Sequence, residues 1–208
     1  MMARVFGWLL LGFIRLLTGA QARWYGCPPK AEQRIYFANH QSHADLVLIW
    51  AALPKELRGI TRPIAAKDYW TTSPLKRWIT TEVFNAIYVD RQKQGGPDGE
   101  ATDPLEPLIE ALTQGDSIIL FPEGTRGHHE DPQAFKSGLY NLAQRFPDVV
   151  LVPTWINNVQ RVMPKGEVVP VPVLCSVTFG APICVEPGEA RTAFLARARD
   201  AVMALRDI

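Results

Sequence analysis

The chain has 208 residues, 47% of them hydrophobic, which fits one folded domain with a sizeable core and excludes an intrinsically disordered chain. Lys plus Arg number 22 and Asp plus Glu 21, so the net charge is +1 and no whole-molecule field draws the chain to nucleic acid or an anionic membrane; anion affinity must be local. Cys27, Cys175 and Cys184 lack any C-x-x-C spacing, which suggests neither a disulfide framework nor a zinc finger and reads as thiols in a reducing compartment.

The first element is Val5–Leu17, VFGWLLLGFIRLL, apolar except for Arg15. As a helix it would be about 20 Å long, short of the roughly 30 Å hydrocarbon core of a bilayer. Arg4 and Arg15 fall on nearly one face, with Gly7, Gly12, Thr18 and Gly19 beside them, and Leu11 interrupts this polar, small-residue stripe. The remaining faces are apolar, as in a helix lying in a membrane interface. A buried core helix also fits, as does a signal peptide cleaved near Ala20-Gln21-Ala22, although Arg15 breaks the apolar run such a peptide needs. Residues 1–22 are therefore expected to form a membrane-associating helix ahead of one domain at 23–208. Arg15, Arg23, Lys30 and Arg34 after the apolar run favour a cytoplasmic location for that domain.

Beyond it, apolar runs alternate with helical patterns. Strands are expected at Ile35–Ala38, Arg62–Ala66, Ala86–Val89, Ser117–Phe121, Val149–Thr154 and Leu174–Phe179. Helices are expected at Asp45–Leu53, Pro74–Thr81, Pro104–Thr113 (ended by Gly115), Lys136–Phe146 and Glu189–Leu205. Gln92–Asp103, with three glycines, three acids and Pro97, reads as a surface loop or flap, and Gly166–Pro172 fits no element. The alternation predicts an α/β fold, a mixed and partly parallel central sheet flanked by helices, with ligands at the carboxyl ends of the strands.

The polar clusters fall at those ends. In Asn39-His40-Gln41-Ser42-His43-Ala44-Asp45, a turn followed by a helix start lets Asp45 reach back to one nitrogen of His40, leaving the other free to take a proton from a hydroxyl. A packed His and an acid at a helix N-terminus fit equally from this pair alone. Phe121-Pro122-Glu123-Gly124-Thr125-Arg126 comes directly after an apolar strand. Gly124 allows an unusual backbone angle or close approach of a ligand, Thr125 offers a hydroxyl and Arg126 a bidentate phosphate grip, while Glu123 can orient Arg126 or a substrate hydroxyl. Arg91 ends another strand, and Lys136 could add charge near a bound anion. His43 and the His128-His129-Glu130 loop lack fixed metal-ligand spacing, so no metal site is expected.

Together, NHQSHAD, FPEGTR, the VDR at a strand end and Val152-Pro153 resemble the glycerolipid acyltransferase family, which includes the 1-acylglycerol-3-phosphate acyltransferases, over roughly Tyr36–Thr154. The resemblance implies acyl transfer from an acyl-CoA or acyl-carrier-protein thioester to a hydroxyl of lysophosphatidic acid or a related lysophospholipid, at a membrane. It implies His40 and Asp45 as the catalytic pair. It further implies that Arg91, Glu123, Gly124, Thr125 and Arg126, with Lys136, bind the glycerol-phosphate portion. No cofactor, metal or nucleic-acid partner is implied; the partners are membrane lipids and the thioester donor. Asn85 replaces a glycine usual in the family and tolerates positive φ; Tyr88 is bulky for its block and could alter the acceptor pocket. A serine hydrolase using Ser42, and a non-catalytic membrane-binding protein of this fold, are the competing classes.

Overall fold

The computed structural model describes residues 2–19, 21–42, 44–89, 103–127, 131–157 and 174–208. Arg91, His43, the 128–130 loop, Gly166–Pro172 and nearly all of Gln92–Asp103 lie outside the described residues. The described elements are α1 (Met2–Thr18), β1 (Gln21–Trp24), β2 (Arg34–Ala38), α2 (Asp45–Ala52), α3 (Lys55–Gly59), β3 (Thr61–Ala66), α4 (Lys67–Trp70), α5 (Pro74–Trp78), a π-helical turn (Ile79–Val83), β4 (Ile87–Val89), α6 (Glu106–Thr113), β5 (Ser117–Leu120), α7 (Gly138–Arg145), β6 (Val150–Asn157), β7 (Ser176–Phe179) and α8 (Arg191–Met203).

The strands form one sheet in the order β1-β7-β6-β2-β5-β3-β4. Neighbours are parallel except β6 and β7, so the sheet is mixed and largely parallel, as expected. β2 lies at its centre and is buried along its whole length, which is why it reads as a continuous apolar run. Ile35 and Phe37 pack into one core with α6, α7 and α8, whereas Tyr36 and Ala38 pack into the other with α1 and α2. Period-2 alternation of a single strand thus feeds two layers of helices.

α1 exists as expected, but the face it turns to the domain follows only part of the small-residue stripe: it takes Gly7 and Thr18 together with Leu11 and Ile14, while Gly12 is exposed with nothing within 4 Å. Gly7, Leu11, Ile14 and Thr18 are buried, and a Cβ on Gly7 would stand 3.1 Å from Val83 in the π-turn. Arg15 donates to the Ala51 carbonyl at the end of α2, and Phe6 meets Trp78 edge to face at 5.1 Å. Leu11 lies on this packing seam, which is why an apolar residue stands between Gly7 and Thr18. The opposite face leaves Val5, Trp8, Leu9, Phe13 and Leu16 exposed.

Arg34 does not join a surface charge cluster. It is buried, pairs with Glu32 at 2.6 Å and donates to the Pro28 carbonyl and Cys27 Sγ. Asn85 has φ 48°, the positive value its place in the turn requires. Tyr88 turns toward α5 and the π-turn, where its hydroxyl bonds Thr80 and Thr81, and it does not line the cleft beside His40.

Candidate active site

β2 runs parallel to β5 on one side and β6 on the other, with Phe37 opposite both Leu120 and Pro153. The polypeptide leaving β2 therefore emerges beside the one leaving β5, which brings the two sequence clusters together. Asn39 continues the ladder with its side chain: the amide donates to the Ile156 carbonyl at 3.1 Å and accepts from the Ile156 N–H at 2.8 Å.

His40 is the next residue. Its Nδ1 is 2.8 Å from Asp45 Oδ2, the contact expected of a turn followed by a helix start. The same oxygen accepts the backbone N–H groups of Gln41 and Ser42 at 2.7 and 2.8 Å, so the turn folds around the carboxylate. Asp45 is fully buried and His40 is 7% exposed. An ionised carboxylate only accepts, so this contact suits the neutral tautomer with its proton on Nδ1 and its lone pair on Nε2. The imidazole stacks on Phe121, centroids 4.3 Å apart and planes 17° from parallel. Ser42 Oγ accepts the Ala44 N–H at 3.2 Å and is not placed as a nucleophile on His40.

The second cluster wraps the first. Glu123 is 2% exposed; Oε1 accepts the His40 N–H at 2.7 Å and Oε2 the Gln133 N–H at 2.8 Å. Burial pushes its carboxyl above the usual value, against the pull of these two amides. The Gly127 N–H donates to the His40 carbonyl at 2.8 Å. Gly124 has φ 71°, and a Cβ there would stand 2.6 Å from Lys136 Nζ, so the missing side chain is what lets Lys136 lie across the turn. Thr125, Arg126 and Lys136 are exposed, and none of the three forms an ion pair among the described residues.

His40 opens into a cleft of about 510 Å³. Thr125, Lys136, Ser137 and Asn141 give it a polar margin, and Ile64, Val89, Leu105, Leu108, Leu120 and Leu139 give it apolar walls. Arg126 is not among its lining residues. The cleft walls and the bracing roles of Asn39, Phe121 and Gly127 were not read from sequence. Asn39 and Phe121 lay inside the recognised motifs, but the walls come from β3, β4, β5, α6 and α7 and share no local pattern.

Residues 27–157, more than half of the chain, match the family described as Acyltransferase. The 1-acyl-sn-glycerol-3-phosphate acyltransferase alpha of Homo sapiens is 30% identical over 163 residues, covering 76% of this chain and 53% of the human protein. Taffazin of Dictyostelium discoideum is 28% identical over 147 residues, covering 66% and 49%. The chain thus spans about half the length of these relatives. Among solved structures, PlsC of Thermotoga maritima, a 1-acyl-sn-glycerophosphate (LPA) acyltransferase, matches with a TM-score of 0.70 at 20% identity, covering 98% of this chain and 77% of that one, a likeness of fold. With the matched stretch containing both polar clusters and the buried His40–Asp45 pair, the chain belongs to the acyltransferase family.

Proposed function

We propose that the protein transfers a fatty acyl group from an acyl-CoA or acyl-carrier-protein thioester to a hydroxyl of lysophosphatidic acid or a related lysophospholipid. One observation carries the reading: a buried carboxylate fixes Nδ1–H of His40, and the ring borders an apolar cleft. Nε2 removes the proton of the acceptor hydroxyl, and the oxygen attacks the thioester carbonyl. The C–S bond breaks, and the imidazolium returns its proton to the leaving thiolate. Asp45 holds the tautomer and stabilises the imidazolium. The scheme needs no acyl-enzyme, metal or cofactor.

Arg91 and Arg126, with Thr125 and Lys136, bind the acceptor phosphate in this proposal. The support is the motif resemblance, and for Thr125 and Lys136 also their place at the polar margin. The apolar walls take acyl chain.

The exposed apolar face of α1 rests in a membrane interface. No described helix is long and apolar enough to cross a membrane, and the family relatives act on lipids. The cytoplasmic leaflet is the proposed side, resting on Arg15, Arg23 and Lys30 without the buried Arg34.

The test is thiol release from acyl-CoA or acyl-carrier protein by purified protein in detergent, with and without lysophosphatidic acid, beside a folded His40→Ala variant. Acceptor-dependent release lost in His40→Ala is the expected result. Release without acceptor would make the protein a thioesterase. No release with either donor and a panel of lysolipids would make it a non-catalytic relative.

A further inference from the structure

The motif resemblance places Glu123 among the residues that bind the glycerol-phosphate portion of the acceptor. Its geometry points elsewhere. One carboxylate oxygen accepts the His40 N–H at 2.7 Å and the other the Gln133 N–H at 2.8 Å. The side chain is buried, and Glu123 is absent from the cleft lining although Pro122, Gly124 and Thr125 are part of it. A Cβ on the buried Gly127 would stand 3.3 Å from Oε2, so the carboxylate is enclosed on that side as well.

The surroundings grip His40 at three more points. Gly127 N–H holds the His40 carbonyl, Phe121 lies under the ring, and Asp45 holds Nδ1. The His40 residue is therefore clamped at its N–H and at its C=O by residues 123 and 127 of one turn. Gln133 ties that carboxylate to the polypeptide ten residues downstream.

We propose that Glu123 is a positioning residue for His40: its carboxylate fixes the backbone from which the ring projects, and it does not touch the substrate. The proposal rests on the reading of His40 as the general base. Both partners are N–H donors, so the position requires two acceptors on one planar group. Glutamine supplies one acceptor and would turn an NH₂ toward the other donor. Aspartate keeps both acceptors but is one methylene shorter, so it cannot reach both amides. In either variant the base is displaced, and a displacement of about 1 Å costs on the order of a hundredfold in rate.

The experiment compares wild type, Glu123→Gln and Glu123→Asp in two arms. In the kinetic arm, lysophosphatidic acid is varied at saturating acyl-CoA. The expected result is a fall in kcat of roughly ten- to a hundredfold, with KM for the acceptor within about threefold of wild type. Both variants should be impaired. A raised KM with kcat kept, or rescue by glutamine, would mean that Glu123 binds the acceptor and would overturn the proposal. The second arm needs no turnover. In ¹⁵N-labelled protein the His40 and Gln133 amides should exchange slowly in wild type and faster in both variants, and the His40 ring signals should shift. Rapid exchange of both amides in wild type overturns the proposal even if the variants do not fold. If His40→Ala proves fully active, the assignment of the base fails, while the exchange arm still decides what Glu123 holds.

Discussion

Three donors and one buried acid decide the chemistry at the scale of single residues. Asp45 Oδ2 takes the His40 Nδ1–H and two turn amides, so replacing it disturbs both a tautomer and a turn. Asparagine can keep its carbonyl oxygen on all three donors but lacks the negative charge that stabilises the imidazolium, and turning its NH₂ to Nδ1 would set that NH₂ against the two turn amides. Asp45→Asn is expected to lower kcat by roughly 10²- to 10⁴-fold while the protein stays folded. Steady-state kinetics beside a circular dichroism melt check this; near-wild-type kcat would remove Asp45 from the mechanism. Ser42→Ala loses one hydroxyl bond to Ala44, worth about 1 kcal/mol, and should keep activity within about threefold, whereas a serine hydrolase would lose everything. The His40–Asp45 contact and the positive backbone angle at Gly124 were legible in the sequence, from a turn placed before a helix start and from a glycine at a strand end. Glu123 was not: a carboxylate can face a substrate or two backbone amides, and the second amide belongs to Gln133, which no motif marks.

Elements were legible where periodicity is long and obscure where they are short or at an edge. β2 and β5, α2, α6 and α7 lie where the apolar runs placed them. β1 was missed: Gln-Ala-Arg-Trp is four residues, alternately exposed, and pairs on one side with β7. α3 and α4, at five and four residues, are too short to show a helical period. For α1 the pattern separated two faces only roughly, since Ile14 from the apolar set is buried and Gly12 from the stripe is exposed, and it did not say which face would meet protein. The close approach permitted by Gly7, and Arg15 reaching the carbonyl end of α2, accompany a seam of Gly7, Leu11, Ile14 and Thr18. The free face then supplies a prediction. Replacing Trp8, Leu9 and Phe13 together with serine removes three large exposed apolar groups and leaves the buried Leu11, Ile14 and Thr18 in place. Each is worth about 1.5 kcal/mol or more when buried in lipid, so binding to phospholipid vesicles should weaken at least about 100-fold in cosedimentation. Activity on detergent-dispersed substrate should remain within a few fold. Unchanged vesicle binding would rule out α1 as the membrane contact.

At the scale of the whole molecule, the mixed sheet does two things at once. Parallel pairing at its centre delivers two polar clusters to the same end, and covering both faces buries groups that then resist ionisation. Tyr36, on β2, has its hydroxyl pushed up to about 12 by burial, with Arg34 pulling against it. Burial likewise raises Cys175 to about 11, helped by the Asp45 charge, and raises Cys27 against the pull of Arg34. These groups are neutral in both folded and unfolded chains at pH 7, so they leave stability unchanged there. As pH rises past the ordinary thiol value of 9.0, the unfolded chain releases protons that the folded protein keeps. The folded state then binds more protons than the unfolded one, and stability falls with rising pH, by up to about 1.4 kcal/mol per pH unit for each group still protonated only in the fold. Urea midpoints should therefore fall above pH 9, with Tyr36 adding to the slope from pH 10. Cys175→Ala should flatten the part between pH 9 and 11 while conceding some packing at every pH. A wild-type midpoint that stays level to pH 11, or a Cys175→Ala curve parallel to wild type, would show that the thiol is not held neutral by the fold. The exposed Cys184 should be the thiol that reacts first with a disulfide reagent at about pH 8, with the buried Cys27 and Cys175 reacting only on unfolding.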